Sequence, residues 1–345
     1  MKIALLAGGV GGAKFAQGLR AELRAQHPEA ELSIVANVGD DMWLSGLKVC
    51  PDLDSLMYAL AGANDEVRGW GRAGESERVS AEMTAYGAGW PWFTLGDLDL
   101  GTHIARTGFL RDGLTLTEAT ARLNERWELG VTLLPASDDD AETWVVLDPE
   151  HPGAAGEPEA LHFEEWWVRL RATVPAVRFE RRGREGGGAV ASPTAVAAIG
   201  AADVVIVAPS NPVVSIGTMA GFPGGAGRAG VAGLPGIAEA LRASAAPVVG
   251  VSPIIESSPL RGMARQCLEA LAQPCTAEAV GLGYGARSRG GIIDGWLVDT
   301  VDAAALSALE AAGLAASAVP LWMRDEATSR RLAADALAFA LSLGD

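Results

Sequence analysis

Lys2-Ile3-Ala4-Leu5-Leu6-Ala7-Gly8-Gly9-Val10-Gly11-Gly12-Ala13-Lys14 is the stretch that decides the fold. Its apolar first half has the length of one short strand, and it breaks into a glycine-rich string where the chain can turn tightly. Behind the string, Phe15, Leu19 and Leu23 recur at a spacing of four, which predicts a helix from about Phe15 to Ala25 with one apolar stripe. A second strand is expected over Glu31 to Asn37, ending in Val38-Gly39-Asp40-Asp41. Strand, glycine turn, helix and strand form the opening half of an open α/β domain, where ligands sit beyond the carboxyl ends of the strands.

Pro51-Asp52-Leu53-Asp54 reads as the start of a helix from Leu53 to Ala61, with acidic residues at its positive end. Asn64 to Gly113 is irregular and rich in Gly and Trp. A helix from Thr117 to about Glu128 follows, then short strands over Val131 to Pro135 and Thr143 to Leu147 around Ser137-Asp138-Asp139-Asp140. Residues 61–175 are therefore expected to form an inserted, mainly helical subdomain with a small hairpin, with the core built from 1–60 and 176–345. Phe179 to Gly188 reads as a charged, glycine-rich loop. Ala202 to Ala208 and Pro247 to Val251 are continuous apolar runs, the pattern of strands buried on both faces. Further strands are expected over Gly291 to Asp299 and Ala316 to Pro320. The predicted class is α/β, a Rossmann-like three-layer αβα core with a mostly parallel sheet.

The 345 residues are 49 % hydrophobic, enough for a substantial core. Lys and Arg number 27 against 43 Asp and Glu, a net charge of -16. That balance argues against nucleic acid, since a duplex binder neutralises phosphates with basic side chains. A small phosphorylated ligand stays compatible, because a glycine nest or a bound cation inverts the sign locally. The apolar run at the start is too short for a signal peptide, and no run of roughly 18 residues has membrane-spanning character. No membrane partner and a cytoplasmic location are expected. Cys50, Cys267 and Cys275 are an odd number without metal-ligand spacing, which suits a reducing compartment.

Gly9, Gly11 and Gly12 can turn bare amides toward a phosphate at a helix start, with Lys14 adding a point charge. The same string would also serve a close helix-to-strand contact. It is neither a P-loop nor a GxGxxG with an acidic ribose reader. Asp40, Asp41, Asp52 and Asp54 bring carboxylates to one end of the sheet. Such oxygen ligands suit Mg2+, which offsets charge on a diphosphate during phosphoryl transfer; turn and helix capping is the alternative. Asp97, Asp99, Thr102 and His103 form a second polar cluster, His103 being a base, a phosphate donor or a structural residue. Asn211, after a buried strand, either reads a base or ribose or closes an Asx-turn, and Ser252 at the next strand exit has the same two readings. Trp43, Trp70, Trp90 and Trp92 read as packing, with room for one aromatic wall.

Taken in order, Gly8 to Lys14, Asn37 to Asp41, Pro51 to Asp54, Leu95-Gly96-Asp97-Leu98-Asp99, Ser137-Asp138-Asp139, Pro209 to Ile216 and Val251-Ser252-Pro253-Ile254-Ile255 resemble the 2-phospho-L-lactate transferase family of coenzyme F420 biosynthesis. The resemblance runs from residue 1 to about 340, with Leu297-Val298-Asp299 and Met323-Arg324-Asp325 included. His162-Phe163-Glu164-Glu165-Trp166-Trp167-Val168-Arg169 resembles the actinobacterial branch, whose donor carries phosphoenolpyruvate. The resemblance implies attack by the 5'-hydroxyl of the deazaflavin FO on an enolpyruvyl- or lactyl-diphosphoguanosine, giving dehydro-F420-0 or F420-0 and releasing GMP. Asp40, Asp52 and Asp97 are then the expected catalytic residues, and Asp40, Asp41 and Asp52 the Mg2+ ligands. Gly9, Gly11, Gly12, Lys14, Asp54, Ser210, Asn211 and Ser252 are expected to bind the nucleotide donor. A homodimer is expected. Two other readings are a nucleotide-sugar or sugar-phosphate transferase that binds no deazaflavin, and a non-catalytic nucleotide-binding protein on the same scaffold.

Overall fold

The computed structural model describes residues 1–66, 68–89, 92–183, 188–259 and 262–344. Its strands in chain order are Lys2–Ala7 (β1), Glu31–Ala36 (β2), Met42–Leu44 (β3), Leu47–Val49 (β4), Thr132–Pro135 (β5), Glu142–Leu147 (β6), Ala160–His162 (β7), Ala176–Arg182 (β8), Val204–Val207 (β9), Val248–Val251 (β10), Ile254–Ile255 (β11), Ser258–Pro259 (β12), Gly295–Val298 (β13) and Ala315–Ala318 (β14). Seven of them make one sheet in the order β14-β13-β10-β9-β1-β2-β5, and every neighbouring pair is parallel. All residues of β9, β10 and β13 are buried, as their unbroken apolar sequences require of strands covered on both faces. The fold is the expected α/β class with a Rossmann-like core. It collects the ends of β1, β2, β9 and β10 along one edge, where the site lies.

The first helix, α1 (Gly9–Gln26), starts earlier than the apolar stripe suggests. The glycines belong to its first turns because they are packed: a Cβ on Gly11 would lie 2.7 Å from the Pro209 carbonyl oxygen, and one on Gly12 2.6 Å from Ser210 Oγ. The next helix, α2 (Pro51–Ala61), begins at its proline as expected.

Between α2 and β5 the stretch read as irregular contains Arg78–Ala85 (α3) and Asp97–Arg111 (α4), followed by Leu116–Asn124 (α5). The cap of α5 is Thr115, two residues before the expected Thr117, and it forms a capping box with Glu118. Val131 to Pro135, expected as half of a hairpin within the insertion, instead supplies β5, the edge strand of the core sheet, paired in parallel with β2. The core therefore recurs inside residues 61–175, because β2 needs a partner on its outer side. Thr143 to Leu147 pairs elsewhere: β6 is the middle strand of an antiparallel sheet, β7-β6-β8. The expected loop from Phe179 is strand as far as Arg182, and residues 184–187 of that stretch lie outside the described residues. Trp90, Pro91, Leu260 and Arg261 lie outside them as well. Among the described residues, no helix is long and apolar enough to cross a membrane.

Candidate active site

The site is built around one carboxylate. Asp52, in the first turn of α2, accepts a hydrogen bond from the Gly9 amide at 2.7 Å and another from Asn37 Nδ2 at 2.9 Å. A Cβ on Gly8 would lie 2.4 Å from Asp52 Oδ2, so only glycine allows this approach. Asn37 follows β2 directly. Its Oδ1 accepts from the Gly39 amide at 2.8 Å and from Thr218 Oγ1 at 2.7 Å, while its Nδ2 also donates to the Val214 carbonyl. One amide side chain thus locks the ends of β1 and β2, the head of α2 and the loop after β9 into one arrangement.

Three acids here have no counter-cation among the described residues. Asp40, Asp52 and Glu164 are buried, none makes an ion pair with a described residue, and Asp40 Oδ1 has no hydrogen-bond partner. Burial drives the Asp40 carboxyl well above the usual range, and the charges of Asp52 and Glu164 push it further against a hydrogen bond from Asn37. Burial raises Asp52 to about 6 despite the Asn37 and Gly9 donors. Glu164 rises to about 8, from burial and then from the charge of Asp52. Asp41 is raised by burial to about 6, opposed first by Lys48, whose Nζ lies 3.4 Å away. Buried carboxylates without a positive partner take up protons or a cation, and an all-oxygen donor set suits Mg2+. These residues fit such an ion.

Glu164 is held in place from behind. His162 Nδ1 accepts the Glu164 amide at 3.1 Å, and its Nε2–H donates to the Asp41 carbonyl at 3.1 Å. Burial lowers the His162 pKa to about 4, so the imidazole is neutral, in the tautomer these two bonds require.

A second donor group lies beside the first. Asp54, Asp99 and His103 offer ligand atoms all within 4.8 Å of one another, and this Asp-Asp-His set can coordinate a divalent metal such as Mg2+. His103 Nε2 is buried and lies 3.4 Å from Asp99 Oδ1. Arg106, itself buried, grips both carboxylate oxygens of Asp54 and lies 3.3 Å from His103 Nδ1. Tyr58 donates to Asp99 at 2.7 Å.

The structure brings some expected residues together and not others. Asp52 meets the glycine turn directly, and Asp40 lies within its electrostatic reach. Asp41 is turned toward Lys48. Asp40, Asp41 and Asp52 do not form a triad as tight as Asp54, Asp99 and His103. Asp97 belongs elsewhere: it accepts from the Ser76 amide at 2.8 Å and Ser76 Oγ at 2.9 Å, tying a loop to the start of α4. Asp54 is an ion-pair partner of Arg106. Gly11 and Gly12 serve close packing, whereas Gly9, at φ +66 with open space where a Cβ would stand, borders the site. Lys14 is half-buried on α1, without an ion pair among the described residues. Ser210 is spent on Gly8, donating to its carbonyl and accepting from its amide. Asn211 closes an Asx-turn onto the Val213 amide at 2.9 Å, and Ser252 makes the same kind of local turn with Ile254.

The family model described as 2-phospho-L-lactate transferase CofD matches residues 3–332. The chain belongs to that family. The phosphoenolpyruvate transferase of Nocardia farcinica is 48 % identical over 337 residues, covering 97 % of this chain and 94 % of the relative. That of Streptomyces coelicolor is 46 % identical over 340 residues, covering 99 % and 98 %. The crystal structure of a UPF0052 family member from Bacillus halodurans superposes with a TM-score of 0.56 at 16 % identity, covering 97 % of this chain and 99 % of that one, and shares the fold. As a CofD-family transferase, the protein has the buried acids its phosphotransfer chemistry calls for.

Sequence reasoning missed Glu164, Asn37, Lys48 and Arg106 as members of the site. Asn37 had a visible signal, a polar amide closing an apolar strand just before Gly39-Asp40-Asp41. Glu164 lay within the His162 to Arg169 motif, but its approach to Asp52 was not readable, since the antiparallel sheet folds it back there.

Proposed function

We propose that the protein transfers a phosphoenolpyruvyl group from its guanosine diphosphate ester to the 5'-hydroxyl of the deazaflavin FO, giving dehydro-F420-0 and GMP. The 2-phospho-L-lactyl ester, giving F420-0, is the alternative donor. The names of the relatives favour the enolpyruvyl one. The observation that carries the reading is the set of uncompensated acids, Asp40, Asp52 and Glu164, beside the open Gly9 turn.

Asp40 and Asp52, backed by Asp41, are the residues we assign to Mg2+. The bound ion supplies positive charge against the diphosphate. Gly9 and the start of α1 favour the anionic donor at a helix N-terminus. In the reaction, the hydroxyl oxygen bonds to the phosphorus nearest the enolpyruvyl group, the bond to the GMP oxygen breaks, and the electron pair leaves with GMP. The hydroxyl proton passes into the carboxylate patch. The locked Asn37–Asp52–Gly9 arrangement fixes this geometry before substrate arrives, so positioning and electrostatics supply most of the rate.

The test is incubation of the purified protein with FO, Mg2+ and each guanylylated donor, followed by mass spectrometry. The reading requires a charged deazaflavin product and GMP with at least one donor. Folded protein silent with both would overturn it.

A further inference from the structure

Asp40 sits in a tight turn that closes with the Asp41 amide donating to the Val38 carbonyl at 3.2 Å. Its Oδ1 is buried and accepts no hydrogen bond, so the turn beneath it decides where that oxygen points. Two separate parts of the fold grip this turn. From the core, Asn37 Oδ1 accepts from the Gly39 amide at 2.8 Å, and the same side chain holds Asp52. From the antiparallel β7-β6-β8 sheet, the Thr143 amide donates to the Gly39 carbonyl at 2.7 Å, and His162 Nε2 lies 3.1 Å from the Asp41 carbonyl. A Cβ on Gly39 would lie 2.8 Å from Thr143 Oγ1 and 2.9 Å from Thr218 Cγ2, so the turn is wedged between β6 and Thr218. His162 is itself fixed. Its Nδ1 accepts the Glu164 amide at 3.1 Å, which in a neutral ring leaves the proton on Nε2, and Trp144, opposite it in the register, packs edge-on at 6.2 Å. The residue is 3 % exposed, so its bond to Asp41 is made away from water.

We infer that His162 is a positioning residue for the transfer reaction: its Nε2–H, carried by a sheet outside the Rossmann-like core, sets the Asp40–Asp41 turn to receive the cation. This inference rests on the transfer reading above, in which Asp40, Asp41 and Asp52 hold Mg2+. Asn37 secures the Gly39 amide, on the incoming side of Asp40 in the chain. The Asp41 carbonyl, on the outgoing side, is secured by His162. A carboxylate flanked by two anchored peptides has little freedom left to lose when it meets an ion, so less of the binding energy goes into ordering it. Removing the imidazole strips the Asp41 carbonyl of this donor and frees the outgoing end of the turn, while every carboxylate stays in the protein. His162 therefore acts through the Asp41 backbone and not on the reacting atoms.

The experiment compares wild type with His162→Asn and His162→Gln. Asparagine sets an oxygen where Nδ1 stands, which keeps the Glu164 amide but drops the Asp41 bond; glutamine sets an amide nitrogen where Nε2 stands and can still donate to the Asp41 carbonyl. Mn2+ alone, which favours the same oxygen ligands as Mg2+, is titrated into each protein with the free ion read by EPR. Melting temperature and the Mg2+ dependence of turnover are recorded beside it. Any Mn2+ taken up at Asp54, Asp99 and His103 is common to all three proteins. His162→Asn should bind Mn2+ about tenfold or more weakly than wild type, the scale of losing a group that orients a metal ligand. Its kcat should largely return at saturating Mg2+, and His162→Gln should recover most of the affinity. Wild-type Mn2+ affinity in folded His162→Asn overturns the inference, as does an equal loss in both variants. Should neither variant fold, the imidazole ¹⁵N signals of wild type decide: a proton on Nε2 whose resonance shifts on adding Mg2+ supports the role, and a proton on Nδ1, or a ring blind to Mg2+, overturns it. If wild type makes no phosphodiester with either donor, the transfer reading fails and this inference with it. If wild type makes the product and His162→Asn matches its Mn2+ affinity, the positioning role alone fails.

Discussion

The Gly9 amide donates a 2.7 Å hydrogen bond to Asp52 Oδ1, joining residues 43 positions apart and fixing the turn after β1 to the head of α2. Everything proposed for the site depends on that contact, because it brings the glycine turn and the carboxylate patch to one place.

Gly8 is the position most sensitive to a single methyl group. A Cβ there meets Asp52 Oδ2 at 2.4 Å, the Ser215 Cβ at 2.9 Å and the Asn37 Cβ at 3.0 Å. Gly8→Ala should cost about 1–3 kcal/mol, the usual penalty of overpacking, and remove most turnover by displacing Asp52. Chemical denaturation and a rate assay check both parts.

Replacing Asp52 by Asn removes a buried charge but keeps the shape. Turnover should fall by roughly 10²–10³-fold, the scale of losing one preorganised electrostatic contact, and the Mg2+ concentration for half activity should rise. The melting temperature should change little. A variant that unfolds while its metal response is unchanged would make Asp52 a structural cap.

Carboxyls raised by folding support the fold while protonated. That support is complete below an unfolded pKa of about 4 and is lost as pH rises through the folded values, about 6 for Asp52 and about 8 for Glu164. Metal-free protein should therefore melt at progressively lower temperature from about pH 4 to about pH 8 as these acids ionise unpaired. Saturating Mg2+ should flatten most of that decline, and differential scanning calorimetry across the series reads it. Equal slopes with and without Mg2+ would show that the acids do not bind it.

Arg106 belongs to the second donor group, where it pairs with Asp54. Arg106→Leu leaves Asp54 buried without its cation and should destabilise the protein by about 3–5 kcal/mol, measured by denaturant titration. Asp99→Asn should leave the Mg2+ requirement of turnover near wild type, whereas Asp40→Asn should raise it several-fold. The reverse order would place the working ion at Asp54, Asp99 and His103.

The parallel core was legible because its strands are unbroken apolar runs and its first turn is nearly all glycine. The placement of β5 was not, since four residues with no period of their own pair equally well with a local hairpin or a distant sheet edge. In the site, Asp52 was readable from Pro51-Asp52 at a helix start, yet its partner Glu164 lies 112 positions away and reaches it only through the β7-β6-β8 sheet. An acidic residue at a helix start, as at Asp97, looks the same in sequence whether it faces a substrate or a loop serine, and in the structure Asp97 accepts from Ser76. Ser210 and Asn211 sit where a ligand-reading loop is expected, but the Ser210 hydroxyl bonds to the Gly8 backbone 202 positions away, and the Asn211 side chain closes a local turn that the residue type equally favours.

The most direct test is ³¹P NMR of the guanosine diphosphate ester of phosphoenolpyruvate mixed with the protein, FO and Mg2+. The diphosphate signals should decay into equal amounts of GMP monoester and a new phosphodiester, with no change when FO is omitted or Mg2+ is chelated. Persistence of the diphosphate with folded protein, or growth of GMP without the phosphodiester, would contradict the account.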